Sequence, residues 1–179
     1  MAKGKIIAAT RNMEAFSEAC MSRVGIIFDL APSIEDIEDK VQLCRKKEKL
    51  LFIHIDLAEG IGKDKAGLKY VKQVGVDGII STRPAIIKTA NEVGLKTVQR
   101  IFLLDTQSVD SAATMLKSKP NMAEVMPGVV PGRVIEKICA EAGVSVIAGG
   151  LIATEEEVKL AISAGVMAVS TGKKELWNI

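Results

Sequence analysis

Five small residues near the carboxyl end of this chain have the types and spacing to hold an anion. Gly149 and Gly150 close an apolar run from Val144 to Ala148, and Ser170, Thr171 and Gly172 close another that starts at Val166. Paired glycines let the main chain approach a ligand where a Cβ would collide. Hydroxyls and backbone N–H groups at a helix start bind an oxyanion without help from a lysine. A helix opening at Thr154 would supply such a start, and the chemistry expected of the five is phosphate binding.

A second set consists of polar residues at the ends of other apolar runs: Asp29, His54, Asp56, Arg83, Arg100 and Glu124. Side chains alternate along a strand, so His54 and Asp56 are expected on one face. With Glu59 or Glu124 they would make a donor set for a divalent ion. The plainer alternative is a polar pocket in which the only histidine is held by Asp56 or by a carbonyl, and the expectation is a pocket without a metal. Arg83 and Arg100 can each grip an oxyanion through a planar fork. Arg100 lies inside an apolar strand and needs a partner, for which Asp56 and Glu124 are the candidates. Arg83 can equally be a solvated residue at a helix start.

Groups for catalysis are sparse. No lysine falls at an inward strand position, which disfavours Schiff-base chemistry. Asp56 with Glu124 or Asp29 could form an acid/base pair, but there is no evident nucleophile–base pair beside them. A non-catalytic, ligand-binding role is expected.

What positions these groups is a regular alternation of short apolar runs with amphipathic segments. Strands are expected at Ile6–Ala9, Gly25–Leu30, Leu50–Leu57, Asp77–Ser81, Lys96–Leu104, Met122–Val125, Val144–Ala148 and Val166–Ser170. Helices are expected at Asn12–Met21, from Ser33, at Lys65–Val74, from Pro84, at Ser108–Lys117, at Pro131–Ala142 and at Glu155–Ala164, with a short closing helix at Lys173–Trp177. Gly75, Gly94, Gly143 and Gly165 suit the turns from helix back to strand. Eight strand–helix units predict a compact, closed (β/α)8 TIM-type barrel with short loops, a single domain over residues 1–179. An open doubly wound sheet would use only five or six of the strands. In such a barrel the loops after the seventh and eighth strands form a phosphate pocket, and function sits at the carboxyl ends of the strands.

The composition narrows the classes further. At 48% hydrophobic residues, 179 residues can bury one sizeable core. A net charge of +2 and 3% aromatic residues give neither a strongly electropositive nucleic-acid domain nor many stacking platforms. No run reaches the length of a membrane span or a signal peptide. Cys20, Cys44 and Cys139 are widely separated and read as buried thiols in a reducing cytoplasm.

Several motifs together resemble the glycerol uptake operon antiterminator regulatory protein family. They are Arg11-Asn12-Met13, Ile53-His-Ile-Asp-Leu57 with Gly60, Gly78-Ile-Ile-Ser-Thr-Arg83 and Gln99-Arg-Ile-Phe-Leu-Leu-Asp105. Val125-Met-Pro-Gly-Val-Val-Pro131, Ile147-Ala-Gly-Gly-Leu-Ile152 and the stretch from Ser170-Thr-Gly to Trp177 follow in the same order, so the likeness covers nearly the whole chain. The resemblance implies a bacterial cytoplasmic regulator that binds glycerol 3-phosphate and the leader mRNA of a glycerol-utilisation operon, with no cofactor. It carries over no catalytic residues.

The competing class is a (β/α)8 enzyme acting on a small phosphorylated substrate, in its sharpest form a metal-dependent glycerophosphodiesterase using His54, Asp56 and Glu124. A third possibility keeps the pocket without RNA binding. The basic clusters available for RNA are Arg45-Lys46-Lys47 with Lys49, the series Lys63, Lys65, Lys69 and Lys72, and Lys173-Lys174. On their own these read as solvated helix faces. The loop from Ala58 to Lys65, with Gly60 and Gly62, is expected to order with the phosphate loops when ligand binds.

Overall fold

A computed structural model describes residues 5–179 of the chain. Eight parallel strands close into a barrel in sequence order: β1 (Ile6–Thr10), β2 (Ile26–Asp29), β3 (Leu50–His54), β4 (Gly78–Ser81), β5 (Lys96–Phe102), β6 (Met122–Met126), β7 (Ser145–Gly149) and β8 (Ala168–Thr171). Register across the closing seam pairs Ile7 with Ser170 and Ala8 with Thr171. Among the described residues seven α-helices cover the barrel: α1 (Met13–Met21), α2 (Ile37–Lys46), α3 (Lys65–Val74), α4 (Pro84–Val93), α5 (Thr106–Met115), α6 (Gly132–Glu141) and α7 (Glu155–Ser163). Among the described residues no helix is long and apolar enough to cross a membrane.

Strand alternation builds two apolar layers. Ile7, Phe28, Phe52, Ile80, Val98 and Ile147 fill the barrel interior, with the Phe28 and Phe52 rings 5.7 Å apart. Ile6, Ala8, Ile27, Leu51, Ile53 and Ile79 face outward and pack against the helices. Because both faces are buried, the strands read as nearly unbroken apolar runs. Short turns make eight units fit in this length. Gly75 and Gly94 cap α3 and α4 in the left-handed region, at φ 105° and 78°, and the chain enters the next strand within a few residues.

Of the elements whose bounds differ from the sequence reading, three bear on the barrel mouth, while β5 ends two residues early at Phe102 and the closing helix is a 3-10 helix at Lys174–Asn178. The third strand ends at His54, and Ile55–Leu57 is a single 3-10 turn. The second helix begins at Ile37 rather than Ser33, because Ser33 pairs with Glu59 in an isolated bridge that ties two loops of the barrel mouth together. The fifth helix starts at Thr106, where Asp105 accepts from the Ser108 N–H and the Ser108 side chain accepts from the Asp105 N–H, a reciprocal cap.

Candidate functional site

The loops after β7 and β8 meet at the carboxyl end of the barrel, where a cavity of about 680 Å³ opens. Gly150, Ser170, Thr171 and Gly172 line it, as do Arg100 and Glu124 on its floor and Arg11, Asn12, Lys173 and Lys174 at its rim. Gly149 lies behind this wall, paired in register with Ser170.

The β7 loop is held in a costly conformation. Gly150 and Leu151 follow one another in the left-handed region, at φ 75° and 62°, and Leu151 is 75% exposed. A side-chain-bearing residue there stores strain. Two anchors hold the loop. The Gly128 N–H donates to the carbonyls of Gly149 and Gly150, at 2.6 and 3.1 Å, and the Thr171 hydroxyl donates to the Ile152 carbonyl at 2.8 Å. Among the described residues, no protein acceptor takes the N–H of Gly150, Leu151 or Gly172.

The hydroxyls expected to hold the phosphate are already engaged. Ser170 donates to Glu124 Oε1 at 2.5 Å, and Thr171 is spent on Ile152 while accepting from the Lys173 N–H. The start of α7 is also filled by its own chain. Glu157 accepts from the N–H groups of Ala153 and Thr154, Thr154 accepts from the Glu157 N–H, and Glu155 and Glu156 add negative charge to the first turn. The helix start therefore repels an anion, and backbone N–H groups of the two glycine turns are what this corner offers.

On the floor, Arg100 and Glu124 sit directly opposite one another on β5 and β6. Arg100 Nε donates to Glu124 Oε2 at 2.7 Å, with side-chain exposures of 7% and 0%. Glu124 thus satisfies one oxygen with a guanidinium and the other with Ser170 across the barrel. A Cβ on Gly149 would run into Glu124 Oε1 and stand 2.6 Å from Ser170 Oγ, so this bridge fits only over a glycine. Arg100 is charge-paired inside the barrel, and the rest of its guanidinium faces the cavity that it lines.

The other predicted pocket residues separate. Asp29 points outward to the helix layer, not into the mouth. It is buried and accepts from Lys40 of α2 at 2.8 Å, while Asp36 accepts from the same ammonium at 2.9 Å. Against a burial penalty, those two carboxylates hold Lys40 above the ordinary lysine range. Asp56 leaves the His54 face because the strand ends before it. Its carboxylate accepts from the Ser81 hydroxyl (2.8 Å), the Thr82 N–H (2.7 Å) and Arg83 Nε (3.0 Å), a rim cluster joining β3 to β4. Although burial works the other way, these donors hold the Asp56 carboxyl below its usual range. Arg83, half exposed, is thereby a partner of Asp56 at the start of α4.

His54 does end β3 inside the barrel, but Asp56 does not hold it. It is 4% exposed, and its Nδ1 has no hydrogen-bond partner among the described residues. Burial first, then the nearby Arg100 charge, push its pKa down to about 4, so the ring is neutral. A buried imidazole nitrogen without a partner is an unmet hydrogen-bond demand. The trio His54, Asp56 and Glu124 does not converge on a point, since Asp56 and Glu124 are engaged by different donors. Among the described residues no group of three His, Cys, Asp or Glu is placed to hold a metal ion.

Sequence reasoning missed two features here. Lys40, to which the sequence reading assigns no role, is buried at 2% exposure. Lys173 and Lys174 were grouped with RNA-binding candidates, yet they line the cavity. Lys174 is paired there with Glu18 at 2.6 Å.

Comparison with known proteins adds the family. A family model described as glycerol-3-phosphate responsive antiterminator matches residues 6–177. The chain is similar to the uncharacterized protein YgcP of Escherichia coli K12, with 34% identity over 97% of this chain and 92% of that one. Among solved structures it is similar to a glycerol uptake operon antiterminator regulatory protein from Listeria monocytogenes, with TM-score 0.88 and 28% identity over 97% of this chain and 94% of that one. It is also similar to a glycerol uptake operon antiterminator-related protein from Thermotoga maritima, with TM-score 0.85 and 31% identity over 97% and 98% of the two chains.

Proposed function

The chain belongs to the glycerol-3-phosphate responsive antiterminator family, and from that premise we propose that it is a cytoplasmic, non-catalytic regulator that binds glycerol 3-phosphate and, in response, the leader mRNA of a glycerol-utilisation operon. The observation that carries the ligand half is the cavity walled by Gly150, Gly172 and Lys173 above the Arg100–Glu124 floor. The phosphate would lie against the N–H groups of the two glycine turns, with Arg11 and Lys173 supplying positive charge at the rim. Ser170 and Thr171 would shape the wall rather than donate, since both hydroxyls are engaged. The glyceryl hydroxyls would reach toward Arg100 and Glu124, whereas His54 is buried and is not part of the cavity lining. Asp29, Asp56 and Arg83 have structural partners and are left out of this ligand shell.

Family membership supports the RNA half. Isothermal titration with glycerol 3-phosphate and with glycerol tests the pocket: saturable binding of the phosphate ester and much weaker binding of glycerol are expected. Indistinguishable affinities, or no heat from either, would remove the phosphate site. Transcription past the leader terminator in vitro, with and without glycerol 3-phosphate, tests the regulation.

A further inference from the structure

The turns that lead from helix back to strand, at the barrel end opposite the cavity, carry a concentrated positive charge. Arg45, Lys46 and Lys47 close α2, Lys96 begins β5, and Lys117 and Lys119 precede β6. All six are exposed, and none makes an ion pair among the described residues. Elsewhere many cations are neutralised, as in Arg83 with Asp56, Lys137 with Asp110 and Lys174 with Glu18. The nearby acids do little to offset this end. Glu92 is paired with Lys65, which leaves Glu48 and Asp77, the latter still charged while it accepts from the Leu51 N–H, against six cations.

The α2–β3, α4–β5 and α5–β6 turns lie along one side of this end of the barrel, with the cation-free α3–β4 turn between the first two, and together they form one arc. Helix-dipole complementarity accounts for Arg45 and Lys46 in the last turn of α2. Lys47, Lys96, Lys117 and Lys119 lie beyond the α-helices and need another reason. The α4–β5 and α5–β6 turns of this arc are braced against one another. Thr97 donates to Asn91 and accepts from the Asn121 N–H, Asn91 donates to the Lys119 carbonyl, and the buried Ser118 hydroxyl donates to Gln99. No aromatic residue occurs in these turns, so nothing there can stack on splayed bases. Unpaired cations without stacking groups suit the phosphate backbone of folded RNA.

We propose that this arc of helix-to-strand turns, built on Lys46, Lys47, Lys96, Lys117 and Lys119, is the RNA-docking face of the protein, gripping the sugar-phosphate backbone of a folded RNA at the end of the barrel opposite the metabolite cavity. This rests on the RNA half of the proposed function. It adds where the RNA sits and that recognition there is electrostatic.

The test is fluorescence anisotropy with a labelled glycerol-operon leader transcript that includes its terminator hairpin. The proteins are the full chain, the double variants Lys46→Glu/Lys47→Glu and Lys117→Glu/Lys119→Glu, and a control, Lys88→Glu/Lys159→Glu, from the sides of the barrel. Each double reversal in the arc should weaken binding by roughly tenfold or more and lower the slope of log affinity against log salt by about 2. The control should bind RNA as the unmodified chain does, and every variant should keep its affinity for glycerol 3-phosphate. Unchanged RNA affinity and salt slope in both arc variants would overturn the assignment while leaving RNA binding intact. If the unmodified chain binds glycerol 3-phosphate but no RNA, the docking face and the RNA half of the regulator both fall. If it binds RNA through the arc but not glycerol 3-phosphate, only the metabolite reading falls.

Discussion

Arg100 and Glu124 face one another at paired positions on neighbouring strands, 2.7 Å apart in the barrel interior. Removing one partner of a buried pair leaves an uncompensated charge. Glu124→Ala should therefore cost about 3–5 kcal/mol, read as a lower urea midpoint at unchanged slope. Arg100→Met, which removes the charge that needs an anion, should cost less than Arg100→Ala because it keeps more of the packed volume.

Gly149 and Gly172 make different predictions although both are glycines of the same corner. A Cβ at Gly149 strikes the Glu124–Ser170 bridge, so Gly149→Ala should lose about 1–3 kcal/mol of stability through overpacking. At Gly172 the nearest neighbour to a Cβ is the Ala9 carbonyl at 3.5 Å, an ordinary contact. Gly172→Ala should leave the melting temperature nearly unchanged. It should weaken glycerol 3-phosphate binding by roughly tenfold, about 1.4 kcal/mol. Unaltered binding by calorimetry would show that the phosphate does not approach this turn.

Lys40 tests where Asp29 belongs. Lys40→Met leaves Asp29 buried without its cation, with an expected loss of about 3–5 kcal/mol. Because that pair faces the helices, metabolite affinity should be unaffected once the variant is folded. A large loss of affinity in a folded Lys40→Met protein would return Asp29 to the pocket.

His54 gives a pH signature. The unfolded chain takes up a proton near the ordinary value of 6.5, whereas the folded ring does so only near 4. Between those values the unfolded state binds more protons, so the His54 contribution to stability falls as pH drops from 6.5 to 4. Below that window the loss is complete, about 3 kcal/mol. Unfolding curves measured across it, for the unmodified chain and for His54→Gln, should converge or cross as pH falls. The single histidine also gives an unambiguous NMR signal, which should remain that of a neutral ring at pH 5.5.

The barrel was legible because its strands are short, apolar and separated by amphipathic helices, and because glycines such as Gly75 and Gly94 mark the returns. The meeting of the Gly150 and Gly172 turns followed from strand order alone. Side-chain direction did not follow so easily. In a strand buried on both faces, Ile-Ile-Phe-Asp reads the same in either parity, so Asp29 could not be assigned to the helix side. His54 and Asp56 were separated by the early end of β3, which hydrophobicity does not mark. One signal was available and unused. Thr154-Glu-Glu-Glu157 has the spacing of a reciprocal helix cap, and it announced that the α7 start would be filled by its own glutamate.

The carboxylate of Glu124 joins three strands while resting over the bare backbone of a fourth. Those positions are consequently not free to drift one at a time across homologous chains. A relative with an apolar residue in place of Glu124 should also have given up the arginine at position 100, and only such a relative has room for a side chain at position 149. Divergence at this floor should proceed as a coordinated exchange, leaving a signature of covariation among positions 100, 124, 149 and 170.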